Sequence, residues 1–259
     1  MSERDLAALD GHQLLPRVLT ELGRVDTSTH ALGQPLASPM VPRLRHAAAL
    51  PADGLALLEA SGALEGANKQ PPERTIALLA ADRMAALIER VRGLAQRGVA
   101  AVALDMAPLA CTAPYGEREW RPRTREELAE LRAAAGRPLW LVGLGSAADA
   151  EVAAEAGADG VVIGSELGRR LGAPAVIDLL PEVIYAVGGT LTIVAGGPVR
   201  DGVDVLRYLA VGAELVVVDG DRSVPALQAE LEYAMRLTGC ADLSDVGYDA
   251  LFAPLFGEP

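Results

Sequence analysis

The stretch EAGADGVVIGSELGRRLGAPAVIDLLPEVIYAVGGTLTIVAGGPVRDGVDVLRYLAVGA (155–213) decides the fold. It reads as strand, loop, helix, strand, Gly-Gly turn and helix. Its two apolar runs, GVVIG (160–164) and LTIVAG (191–196), are hydrophobic throughout rather than alternating. That is the pattern of parallel strands covered on both faces. Each run leads into a helical stretch, so the unit is a strand–helix repeat with right-handed crossovers.

The same rhythm extends outward in both directions. Downstream, ELVVVDG (214–220) is a strand and SVPALQAELEYAMRLTG (223–239) a helix. Upstream, LWLVGL (139–144) and VAAVALD (99–105) are strands, with REELAELRAAAG (125–136) a helix between them. TIALLA (75–80) is a strand followed by a helix from about Asp82 to Arg97. Ser146 and Asp149 have the spacing of an N-terminal cap. The reading is less regular near the start. Residues 6–22 are expected to form an amphipathic helix closed by Gly23. VDTSTHALGQPLASPMVP (25–42) is a β-rich lead-in, with strand one at Ser38–Pro42. PADGLALLEASG (51–62) is expected to be helical and Leu64–Asn68 a weak second strand.

Eight strand–helix units in about 220 residues predict a single-domain α/β fold, a (β/α)8 TIM barrel. The barrel is assigned to 25–240, after an N-terminal helical segment (1–24) and before a tail (241–259). An open, doubly wound sheet is the alternative.

Composition narrows the function classes. The 259 residues are 51% hydrophobic, enough for a large core. A net charge of −12 with no basic run argues against nucleic acid and anionic membrane partners. No apolar run is long enough to span a bilayer. Cys111 and Cys240 have no metal or disulfide spacing, and no secretory signal pattern opens the chain. The expected compartment is therefore the cytoplasm. Lys69 is the one lysine among 23 basic residues. A GC-rich genome that favours Arg codons explains that better than a retained Schiff-base or anion-binding lysine does.

In a barrel, chemistry belongs at the C-terminal strand ends. That face collects Arg43, Arg45 and His46 after strand one; Glu65, Asn68 and Lys69 after two; Asp82 and Arg83 after three; Asp105 and Cys111 after four; Gly143 and Gly145 after five; Ser165, Glu166 and Arg169 after six; Gly196, Gly197 and Arg200 after seven; and Asp219, Asp221 and Arg222 after eight. Gly196-Gly197-Pro198-Val199-Arg200 opens a helix and could cradle an anion on backbone N–H groups. A tight barrel turn explains the glycines equally well.

The segment 155–213 and the lead-in 25–42 together resemble the FMN-dependent α-hydroxy-acid oxidase/dehydrogenase family. The resemblance implies FMN, a small carboxylate substrate and a phosphate site at Gly196, Gly197 and Arg200. It also implies that Arg169 anchors the substrate carboxylate, with a second arginine, Arg118 or Arg121, in the loop after strand four. His46 is a further candidate substrate contact. The departures concern the chemistry. Glu166 stands where the family has its histidine base, and Val142 where a lysine faces the flavin. Ala195 replaces an aspartate, and Pro198 is inserted in the turn. Asp219-Gly220-Asp221 replaces a Gly-Arg-Pro, setting two carboxylates where a phosphate should bind.

Three functions follow. The leading expectation is acid–base work on a small carboxylated metabolite without flavin, with Glu166 and Asp105 moving protons and Arg169 as anchor. No cofactor is needed under that reading. The second is an FMN-dependent oxidoreductase with a rearranged site. The third is a non-catalytic barrel serving as a binding or assembly partner, and a homo-oligomer is left open. Glu166 could equally be a rim ion pair with Arg169 or Arg170.

Overall fold

The computed structural model describes residues 3–45, 52–60, 73–80, 82–106, 123–164, 168 and 171–252. Its centre is a closed barrel of eight parallel strands: β3 (Met40–Leu44), β4 (Ala56–Glu59), β5 (Thr75–Ala80), β6 (Ala101–Asp105), β7 (Leu139–Leu144), β8 (Gly160–Ile163), β9 (Thr192–Ala195) and β10 (Leu215–Asp219), with β10 closing on β3. A preceding hairpin, β1 (Thr29–Ala31) with β2 (Gln34–Leu36), is antiparallel. Seven helices are described: α1 (Glu3–Gly11), α2 (Met84–Gln96), α3 (Arg125–Ala135), α4 (Ala147–Glu155), α5 (Val176–Val187), α6 (Gly202–Ala210) and α7 (Val224–Thr238). The TIM-barrel expectation holds, and the open-sheet alternative falls with the β10–β3 pairing.

Strand periodicity divides the core in two. Val41, Leu57, Ile76, Leu78, Ala101, Ala103, Trp140, Val142, Val162, Val194 and Leu215 face the lumen and pack on one another. Ala31 and Leu36 of the hairpin join that cluster, so the hairpin closes the N-terminal end. The alternate residues, among them Met40, Leu58, Leu79, Val102, Leu141 and Ile163, pack outward with the helices. Burying each of the larger aliphatic side chains contributes about 1.5–3 kcal/mol, which is why continuous apolar runs mark these strands.

Local signals set the helix starts. Thr124 and Glu127 form a capping box at α3. Ser146 accepts from the Asp149 N–H at α4, and Asp201 accepts from Val203 and Asp204 at α6. Each satisfies N–H groups that the first helical turn leaves unpaired.

Two expectations are corrected. Within the stretch expected to be helical (51–62), the described residues 52–60 form no helix: β4 lies there and is the second barrel strand, paired with β3 and β5. Leu and Ala favour helix locally, but a short run buried on both faces gains more by completing the sheet. The proposed strand at Leu64–Asn68 lies outside the described residues. The first helix ends at Gly11 rather than near Leu22. Beyond it, the Leu15 and Arg17 N–H groups donate to Ala250 and Leu237 carbonyls. Backbone bonds that would have extended the helix instead tie the segment to the end of the chain.

Among the described residues no helix is long and apolar enough to cross a membrane, and no group of three or more His, Cys, Asp or Glu could hold a metal ion.

Candidate functional site

The C-terminal mouth of the barrel has two unlike halves. On strands one, two and four, the inward positions above the apolar layer are charged. Arg43, Glu59 and Asp105 share the lumen-facing register of Val41, Leu57 and Ala103. Arg43 Nη2 donates to Asp105 Oδ2 at 3.2 Å, and its Nε lies 3.6 Å from Glu59 Oε1. Strands one and four are not neighbours, so the Arg43–Asp105 contact closes through the lumen. The short Ala80 side chain ends the intervening strand three. The side chains of Arg43 and Glu59 are 41% and 33% exposed, while that of Asp105 is 10% exposed. The cluster therefore faces the opening rather than the core. Asp219, in register with Arg43 on strand eight, adds a third carboxylate to this side.

On strands five to seven the inward positions are bare. Above Val142, Val162 and Val194 come Gly143, Gly164 and Gly196. Gly143 sits at a register shift between Val142 and Leu144, with φ of 93°. Gly164 has φ of 118°. Side chains rarely adopt such backbone angles. Three adjacent strands therefore end in glycine above three valines, and the Cβ directions of Gly164 and Gly196 meet Val176, Val162 and backbone at close range.

The turn after strand seven has a different character. Arg200 donates from Nε and Nη2 to Asp204, at 2.8 Å each, and from both Nη atoms to Asp10 of α1, at 3.1 and 2.6 Å. Its backbone N–H also donates to Asp204. Arg207 Nη1 donates to Asp204 at 2.8 Å. Asp204 is fully buried. Burial pushes its carboxyl up, but hydrogen bonds from Arg200 and Arg207 outweigh this and hold it below the ordinary range. The bonds that Arg200 donates to Asp204 and Asp10 raise its guanidinium further above its usual value. A Cβ on Gly197 would collide with the Tyr208 hydroxyl, which itself donates to the Pro198 carbonyl at 3.3 Å. Burial and the nearby Asp204 charge push that hydroxyl up, so it stays protonated. A Cβ on Gly196 would meet Val162 and the Ile163 carbonyl.

The three residues expected to hold a phosphate thus have structural duties. Gly196 and Gly197 permit close packing, and four of the five guanidinium N–H bonds of Arg200 are taken. Of the N–H groups in the turn, that of Gly196 joins the sheet, Pro198 has none and that of Arg200 is used.

The structure joins Asp105 to Arg43 and Glu59. Arg43 stood among the strand-end residues in the sequence but had no role there. Glu59 was missed because its stretch reads as helix, although Leu55, Leu57 and Glu59 follow the period of two that would have placed it. Glu166, Arg169, Arg118 and His46, and with them Arg121, Lys69 and Cys111, lie outside the described residues.

A closed eight-stranded barrel with its charged and bare residues gathered at one mouth defines a TIM-barrel protein with a candidate site at the usual strand ends. The family model for FMN-dependent dehydrogenase matches residues 95–253, well over half of the chain, and the chain belongs to that family. It is 36% identical over 135 residues to an L-lactate oxidase of Lactobacillus jensenii, covering 46% of this chain and 33% of that protein. It is 35% identical over 147 residues to a 4-hydroxymandelate oxidase of Amycolatopsis orientalis, covering 51% and 41%. Each matched region is thus less than half of the relative's length. Among solved structures, a mandelate oxidase variant with a monooxide FMN adduct superposes with a TM-score of 0.81 at 24% identity, covering 97% of this chain and 92% of that one. A flavocytochrome b2 variant gives 0.80 at 20% identity. At these identities the superpositions establish the fold.

The family's cofactor fits this mouth unevenly. Glycines end strands five to seven, so no Cβ of theirs would obstruct a planar ring there. The turn after strand seven does not offer Arg200 to a phosphate, and Asp219 and Asp221 flank the neighbouring loop with negative charge.

Proposed function

We propose that this chain is an FMN-dependent oxidoreductase of small α-hydroxy carboxylates with a rearranged site. The observation that carries the reading is the family match over 95–253, which contains strands four to eight and the loops after them. On sequence alone, acid–base chemistry without flavin came first; the family match reverses that order. Bound FMN would supply the acceptor for the two electrons leaving the substrate's α-carbon. Gly143, Gly164 and Gly196 would leave its ring room at the mouth, while its phosphate would rely on groups other than Arg200. Arg169 would anchor the substrate carboxylate, and Glu166 would take the hydroxyl proton. A free carboxylate is a weak base near neutral pH, so Glu166 needs burial to serve.

A second reading is favoured by the Arg200–Asp204–Asp10 network and the acidic strand-eight loop. Here the barrel has given up flavin and handles a small carboxylate by proton transfer, with Asp105 and Glu166 as the acid–base pair. The test is to incubate the purified protein with FMN, remove the excess and record the visible spectrum. A stoichiometric flavin complex, bleached by lactate, glycolate or mandelate without oxygen, supports the first reading. A colourless protein that takes up no FMN overturns it. A Glu166→Gln variant that turns over substrate like the parent would remove Glu166 from either scheme.

A further inference from the structure

Resting on the reading of the mouth as a small-carboxylate site, we infer that Arg43 is a carboxylate anchor of that site, presented from strand one. The expected ligand is a small α-hydroxy or α-keto monocarboxylate. The resemblance placed the anchors at Arg169 and in the loop after strand four; Arg43 is in neither place.

Three observations carry the inference. First, Arg43 points inward at the level of Asp105 and projects over the lumen. Second, its guanidinium is fixed before any ligand arrives. Glu59 stands beside Nε and Asp105 holds Nη2, while Nη1 has no partner among the described residues. With the side chain 41% exposed, that corner is open to solvent. An oriented guanidinium can donate two parallel hydrogen bonds to a carboxylate with little further ordering. Third, two other arginines of the rim, Arg200 and Arg222, are committed elsewhere. Arg200 is tied to Asp204 and Asp10, and Arg222 donates to the Arg200 carbonyl. Gly143, Gly164 and Gly196 on strands five to seven bring no side chain of their own to the facing side.

Glu59 and Asp105 beside Arg43, with Asp219 in register on strand eight, leave this side of the mouth net negative. That weakens anion binding and gives the inference a distinctive sign. Removing the Glu59 charge should tighten binding, whereas removing the Arg43 charge should loosen it. A cluster with a purely bracing role would show neither effect.

The experiment is calorimetric titration of the full chain at low salt with sodium L-lactate and sodium pyruvate, with lactamide as an uncharged control. Arg43→Met should weaken the carboxylates by about ten- to a hundredfold, the range for a hydrogen-bonded charge, and leave lactamide within about twofold. Glu59→Gln should tighten the carboxylates by about threefold, an effect lost in molar salt. Arg43→Lys should fall between wild type and Arg43→Met. If Arg43→Met unfolds, Arg43→Lys and Glu59→Gln decide the matter by the same opposed signs. Wild-type affinity in a folded Arg43→Met, or weaker binding in Glu59→Gln, overturns the role of Arg43 and leaves the site reading standing. A wild-type protein that binds neither carboxylate overturns the site reading itself, and this inference with it.

Discussion

Replacing Asp204 with asparagine should destabilise the barrel more than any other single charge removal described here. The carboxylate is fully buried and accepts from the Arg200 N–H, Nε and Nη2 and from Arg207 Nη1. An amide of the same shape keeps one acceptor but turns an NH2 group toward the guanidinium groups. Breaking a buried ion pair on one side costs about 3–5 kcal/mol. The Arg200 and Arg207 side chains are 32% and 15% exposed and retain Asp10, which places the cost near the lower end, about 3 kcal/mol. For a domain of this size that lowers Tm by roughly 6–12 °C. Scanning calorimetry or dye-monitored melting of wild type and Asp204→Asn side by side reads it directly. The pH dependence supplies a second check. Although burial raises the Asp204 carboxyl, the arginine bonds hold it below its ordinary 3.8. Its contribution is therefore complete above that value and fades as pH falls through the lower folded-state value. The difference between wild type and variant should be constant from neutral pH down to the carboxylate range and close below it. A Tm within about 1 °C of wild type at neutral pH would refute the energetic reasoning.

Gly197→Ala should lower Tm, because the new methyl meets the Tyr208 hydroxyl; overpacking of this kind costs about 1–3 kcal/mol. Pairing it with Tyr208→Phe removes the nearest obstruction but leaves the ring carbon and Val176 close, so it should restore only part of the loss in the same melting assay. Gly160→Ala should be costly too, since its Cβ would press on the Trp140 indole inside the lumen; a red-shifted tryptophan fluorescence would report the displaced ring. Arg200→Met should leave FMN uptake unchanged while lowering Tm, because its guanidinium serves Asp204 and Asp10. A variant that loses FMN but not stability would reinstate Arg200 as a phosphate ligand.

The sequence exposed the barrel where burial on both faces makes strands continuously apolar. LWLVGL became β7 with the same bounds, and GVVIG and LTIVAG became β8 and β9 within a residue or two. It misled at LALLEA, because so short a run of Leu, Ala and Glu fits a helix as readily as the period of two in Leu55, Leu57 and Glu59. Only pairing with strands one and three chooses between them, and that is tertiary information. The site divides in the same way. Asp105 could be placed because it ends a clear strand. Its link to Arg43 could not, since the two are 62 positions apart in sequence and meet only after the barrel closes. The role of Arg200 was hidden by the same kind of separation: a Gly-Gly-x-x-Arg turn looks like an anion cradle until Asp10, 190 positions away, is seen to occupy the arginine.

That distant partner has a consequence for the chain's amino end. Arg200 and Arg207 against Asp204 and Asp10 sum to zero. Lift α1 away, by cleavage near Gln13 or by a protein that seizes the helix, and the rim beside strand seven gains a uncompensated positive charge. Helix α1 thus neutralises one corner of an otherwise acidic molecule, and whatever unseats it changes the local charge there.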